Sequence, residues 1–147
     1  MTPDDIELVQ QTVDQISRMG DQVVAEFYRR LFDRVPEARA MFGDEMDVQR
    51  QKFLDTLTQI VAALTDLASL TASARDLGSR HRTYGVQARH YDEVREVLIE
   101  TMAATLGDRF TDRHAAAWRQ GWALISEIMQ QGTEVDRRAP RLSDRRA

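Results

Sequence analysis

The 147 residues contain no cysteine. This excludes a disulfide framework, a thiolate metal site and a thiol nucleophile, and it agrees with a reducing compartment. Any metal chemistry must run through histidine or carboxylate. Proline occurs three times and glycine seven times, with no glycine-rich phosphate loop among them. Lysine is almost missing: Lys52 stands alone among arginines. The longest apolar runs are a handful of residues, too short for a transmembrane helix. The start, MTPDDIELVQ, has neither the basic region nor the apolar stretch of a secretory signal, so a cytoplasmic location is expected. A net charge of -4 and a pI near 5.4 argue against a nucleic-acid surface, which needs concentrated positive charge. What is present is ordinary for a globular domain: 42% hydrophobic and 30% charged residues, in a length that fits one compact unit.

The apolar spacing is helical nearly throughout, and no alternating strand pattern or internal repeat is found. Thr2-Pro3-Asp4-Asp5 reads as a capped helix start, closed by Gly20. Asp21 opens a second helix in which Val24, Phe27, Tyr28, Leu31 and Phe32 share a face, ended by Pro36. Asp47 is the expected cap of a third, whose inward line is Gln49, Phe53, Leu57, Ile60 and Leu64. A glutamine thus heads an otherwise apolar stripe. A shorter helix is expected from about Ser73 to about Gly85. Tyr91, Val94, Leu98 and Met102 mark the next, stopped by Leu106-Gly107-Asp108. Thr111-Asp112 caps the last, where Trp118, Trp122, Ile125 and Met129 form a stripe down to Gly132. The segment EVDRRAPRLSDRRA has five arginines and no periodicity, so residues 134–147 are expected to form a disordered arginine-rich tail behind a domain of residues 1–133.

His81 sits in LGSRHRTYGVQARHY with Leu77 four residues before it, which turns it inward. An inward histidine is either a core residue or a ligand. No second histidine stands at i+3 or i+4 to make a zinc pair, and no ExxH set exists for a di-iron bundle. A one-histidine site that still carries chemistry suggests haem, where the porphyrin supplies the other donors. His90, directly before Tyr91, and His114 read as surface residues.

FYRRLFDRVPEARAMF, Gln49 with the helix that follows it, LGSRHRTYGVQARHY and LGDRFTDRHAAAWRQGWALISEIM together resemble the bacterial single-domain globins and the globin domain of flavohaemoglobins. The resemblance covers roughly residues 5 to 131 and rests on the order and spacing of several anchors. It implies an all-α globin fold, a three-on-three helical sandwich, holding haem b. It implies His81 as the axial iron ligand and Tyr91 as the proximal tyrosine. Phe42 packs on the porphyrin, Phe53 and Leu57 fill the distal space, Val86 lies at the cofactor, and Arg80 corresponds to a position that contacts a haem propionate. Tyr28 and Gln49 take the distal tyrosine and glutamine positions, both donors toward a bound gas. A register shifted by one would put Arg50 and Leu54 in place of Gln49 and Phe53.

Two departures bear on chemistry. Thr133 falls where flavohaemoglobins carry a glutamate that hydrogen-bonds the proximal tyrosine and histidine and pushes electron density to iron. Trp122 replaces a tyrosine usual four residues after the tryptophan matched by Trp118. Strong proximal push is therefore not expected. Three functions follow from the resemblance. One is reversible binding of dioxygen, and of nitric oxide or carbon monoxide. Another is nitric oxide dioxygenase activity, which leaves ferric iron and, since the chain ends about fifteen residues after its last helix, would need a separate reductase. The third is a gas-sensing or haem-free globin-like regulatory module. No membrane or nucleic-acid partner is expected.

Overall fold

The computed structural model describes the backbone of residues 1–138 and the side chains of residues 1–131. Among these, six α-helices and three short 3-10 helices account for nearly all the chain, with no strand. Helix α1 is Pro3–Met19 and α2 is Asp21–Arg34, followed by a 3-10 helix at Pro36–Met41. Helix α3 is Met46–Ala62, α4 Leu67–Thr83, α5 Ala88–Leu106 and α6 Asp112–Arg138.

Local chemistry explains most boundaries. Thr2 Oγ1 accepts from the amide of Asp5 at 3.2 Å while Asp5 accepts from the amide of Thr2 at 2.9 Å, a reciprocal cap that satisfies two helix-end donors. Gly20, at φ 75°, joins α1 to α2 with no linker, a backbone turn that favours a residue without Cβ. Pro36 cannot continue α2 and opens the 3-10 helix instead.

Three expected boundaries moved. Helix α3 starts at Met46, its cap position taken by Glu45 rather than Asp47. Helix α4 begins six residues before Ser73, because Asp66 accepts from both the amide and the hydroxyl of Ser69 and so caps the helix earlier. Helix α6 continues through Gly132 to Arg138. An interior glycine costs about 1 kcal/mol against alanine but does not by itself stop a helix. The expected tail thus begins inside α6 for residues 134–138, and residues 139–147 lie outside the described part.

Apolar faces turned inward by the 3.6-residue period build one core. Val9, Val13 and Ile16 of α1, Val24, Phe27 and Leu31 of α2, Val97, Leu98 and Met102 of α5, and Trp118 of α6 are all buried. Helix α4 lies along α6 and α2 along α5, while α1 packs on α3 and α6. The α4–α6 approach is close enough that a Cβ on Gly78 would stand 2.1 Å from the carbonyl oxygen of Met129. Only glycine fits there. By contrast, α3 and α4 touch little.

Candidate functional site

Helices α3 and α4 touch little, and a set of apolar side chains on and beside them packs against the core while remaining partly exposed. Phe53 and Leu57 come from α3, Leu77 from α4, Val86 from the corner between α4 and α5, Val94 from α5, and Phe42 from the end of the 3-10 helix. Each is only half-buried. Half-covered apolar walls on several elements fit a flat apolar group lying between α3 and α4.

The distal wall is aromatic. The Tyr28 ring is buried and contacts Phe27, Phe32, Phe42 and Phe53 at centroid distances of 5.1, 5.8, 5.5 and 5.7 Å. Phe27 and Phe53 stack at 4.7 Å. Gln49 Nε2 donates to the Tyr28 hydroxyl at 3.2 Å. The phenol therefore spends its acceptor capacity on Gln49 and keeps its own O–H for another acceptor. Burial pushes the Tyr28 hydroxyl up to about 12, against the lowering pull of Gln49, so it stays protonated across the neutral range. Arg50 turns the other way. It binds Asp21 at 2.8 Å and also pairs with Asp47, tying α3 to the start of α2. Gln49, one residue earlier, is the one that meets Tyr28.

The other wall carries His81. Its Nδ1 lies 2.8 Å from the carbonyl of Leu77, one turn back on α4, and in the donor tautomer this leaves the Nε2 lone pair free. Burial pushes the imidazole below its ordinary value, opposed by the Leu77 carbonyl and helped by the Arg80 charge, which keeps the ring neutral as a metal ligand must be. The His81 carbonyl accepts from Tyr84 and Val86, both at 3.1 Å, fastening the corner. The Tyr91 ring lies 6.4 Å from His81 at an interplanar angle of 28°, and burial pushes its hydroxyl up. The chemistry of the donor set fits a metal that already has its other ligands. Among the described residues, no group of three histidines or carboxylates is placed to hold a metal ion alone.

Arg80 is not drawn into this set: its exposed side chain pairs with Asp76 at 3.2 Å. Of the two histidines expected at the surface, His90 is corrected. His114 is half-buried, and its Nδ1 lies 3.2 Å from the amide and 2.8 Å from the hydroxyl of Thr111. His90 is 6% exposed, and its Nδ1 accepts from the amide of Gln87 at 2.9 Å. It caps α5 as its third residue, a role that spacing from Gln87 could have suggested.

Burial and the Arg89 charge push the His90 imidazole down, against Glu37. The fold thus prefers the neutral ring. Its contribution to stability is complete above the unfolded value of about 6.5 and is lost as pH falls from there toward the lower folded value. Urea unfolding on either side of that pH is expected to show a stability loss that His90→Gln, which keeps a capping side chain, reduces. An identical loss in both proteins would assign the acid sensitivity to other groups.

Six helices around one apolar core, with His81 beside half-buried apolar side chains, define an all-helical protein. The chain belongs to the globin family, whose model, Globin, matches residues 25–129. It is 27% identical over 126 residues to a flavohemoprotein of Rhizobium meliloti, covering 84% of this chain and 31% of that protein. It is 25% identical over 125 residues to a flavohemoprotein of Bacillus subtilis, covering 83% of this chain and 31% of that one. The chain therefore spans about a third of these relatives' length. Among solved structures it resembles an engineered carbene transferase, RmaNOD from Rhodothermus marinus, with a name that refers to nitric oxide dioxygenase. The TM-score is 0.79 at 25% identity, covering 92% of this chain and 95% of that one. No helix among the described residues is long and apolar enough to cross a membrane.

Sequence reasoning gave Gly78 no role and left the contact of Trp122 unstated. Gly78 seats α4 on α6, and Trp122 Nε1 donates to the Tyr91 carbonyl at 2.9 Å. Neither leaves a local signal, because both depend on which helix lies opposite.

Proposed function

We propose that this globin binds one haem b per chain through His81 and takes up dioxygen reversibly, with Tyr28 and Gln49 selecting for a polar ligand. Ferrous haem supplies an open coordination position for a diatomic gas. The protein supplies the rest. His81 offers a neutral nitrogen oriented by the Leu77 carbonyl, Phe42, Phe53 and Leu57 exclude water, and the Tyr28 O–H donates toward the gas. The observation that carries this reading is the Gln49-to-Tyr28 hydrogen bond. It orients the phenol as a donor and polarises it. A His81 ring that donates to a neutral carbonyl rather than a carboxylate also favours reversible binding over oxidative chemistry.

Visible spectra of ferric, reduced and carbon monoxide-treated protein test cofactor and ligation together. A protein without a haem band would instead be the haem-free regulatory module. Tyr28→Phe is expected to speed dioxygen release about tenfold or more, since a hydrogen bond to a charged partner contributes about 1.5–3 kcal/mol. Carbon monoxide release should change little because that ligand is less polar. Gln49→Leu should show a smaller effect of the same selectivity, acting through Tyr28, and Arg50→Leu none. Equal acceleration for both gases would remove the donor role.

The likeness to a solved structure whose name refers to nitric oxide dioxygenase favours a second reading, nitric oxide dioxygenase activity supported by a reductase. On this reading, oxygenated protein consumes one equivalent of nitric oxide, and further consumption needs added reductase. No consumption in the first turnover would remove it.

A further inference from the structure

The two tryptophans of α6 stand one turn apart and use their indole N–H groups differently. Trp118 is buried with its N–H unpaired. Trp122 is half-buried and donates to the Tyr91 carbonyl at 2.9 Å. That carbonyl lies near the start of α5, and a helical carbonyl oxygen has a second lone pair that the indole can take. No hydrogen bond of the Tyr91 hydroxyl is found among the described residues, while its backbone carbonyl is held by Trp122. A second tie between the same helices, Arg119 to Glu96 at 2.6 Å, has side chains 47% and 30% exposed, where solvent screens an ion pair.

Helix α6 is thus the common reference for both sides of the proximal pair. Gly78 lets α4, which carries His81, lie against Met129. Trp122 fastens the start of α5, which carries Tyr91. The corner between them is short and hangs from the His81 carbonyl through Val86 and Tyr84, so a shift of α5 is passed to His81. We propose that Trp122 is a positioning residue that sets Tyr91 against His81 by holding the Tyr91 carbonyl, and thereby fixes the tilt of the His81 ring toward haem iron. This rests on the haem-binding reading above.

Trp122→Phe keeps the apolar ring and removes only the N–H, and Trp118→Phe is the matched control because its N–H bonds nothing. In reduced protein, Trp122→Phe is expected to displace the iron–histidine stretching frequency. It should also speed haem loss to an acceptor globin about fivefold, the weight of one net hydrogen bond of about 1 kcal/mol. Trp118→Phe should leave the frequency in place even where it lowers the melting temperature. Amide exchange in the haem-free protein gives an independent readout: the first turns of α5 should exchange faster in Trp122→Phe alone. An unchanged frequency, or the same displacement in both variants, overturns the proposal. If the parent takes up no haem, the functional reading fails. Amide exchange then decides the tie alone, and unchanged exchange in Trp122→Phe overturns it.

Discussion

His81→Gly is expected to abolish haem retention, and added imidazole is expected to restore it. The site has one histidine beside its half-buried apolar side chains, and the other two cannot replace it. The Nδ1 atoms of His90 and His114 each accept from a backbone amide, so the neutral ring carries its proton on Nε2 and offers no lone pair there, whereas the His81 Nδ1 faces a carbonyl and leaves Nε2 free. The glycine variant leaves a space the size of an imidazole, bounded by Leu77 and the Tyr91 ring, which a free imidazole can occupy as ligand. Glycine in the last turn of α4 costs about 1 kcal/mol of helix stability, so circular dichroism should show a folded protein. The loss of haem is then a loss of the ligand. Unchanged haem affinity with an unchanged spectrum would remove His81 from the role and with it the proposed proximal side.

Gly78→Ala is expected to destabilise the protein although alanine is the better helix former. In an open helical position this exchange gains about 1 kcal/mol. Here the new Cβ meets the backbone of Met129, 2.1 Å from its oxygen, 2.7 Å from its carbonyl carbon and 2.8 Å from its Cα. A backbone carbonyl cannot rotate aside as a side chain can, and non-bonded carbon contacts settle near about 3.5–4.0 Å. Helices α4 and α6 must therefore part by about an ångström or more. Overpacking of this kind costs about 1–3 kcal/mol, which for a domain of this size lowers the melting temperature by about 2–10 °C. Haem affinity should fall as well, because His81 follows Gly78 by less than one turn. Gly43→Ala is the control: a Cβ there meets nothing within 4 Å. A melting temperature that rises in Gly78→Ala would mean that the helices do not approach as described.

Most of the helical outline is legible from spacing and punctuation. Thr2, Gly20, Pro36, Gly107 and Thr111 each act through bonds within a few residues, and the boundaries they mark stand where expected. The starts of α3 and α4 differ from those expected at Asp47 and Ser73: Glu45 holds the first cap position without a side-chain hydrogen bond, and Asp66 caps the second through Ser69. His90, expected at the surface because it directly precedes the inward Tyr91, is instead buried, with its Nδ1 accepting from the Gln87 amide. The choice between Gln49 and Arg50 was open in the sequence, since adjacent residues differ by about 100° around a helix and either fits a helix start. Arg50 pairing with Asp21, 29 residues away, turns Gln49 to Tyr28.

The sequence by itself determined an all-helical domain, its inward stripes and the single histidine on one of them, because these follow from the period of the chain and from residue chemistry. The tertiary structure alone decided that Gln49 donates to Tyr28, that Gly78 brings α4 onto α6, and that Trp122 holds Tyr91 by its backbone. Each of these joins residues on different helices, and their meeting depends on how the helices cross and at what distance. That is set by packing summed over the whole core, which no local spacing records.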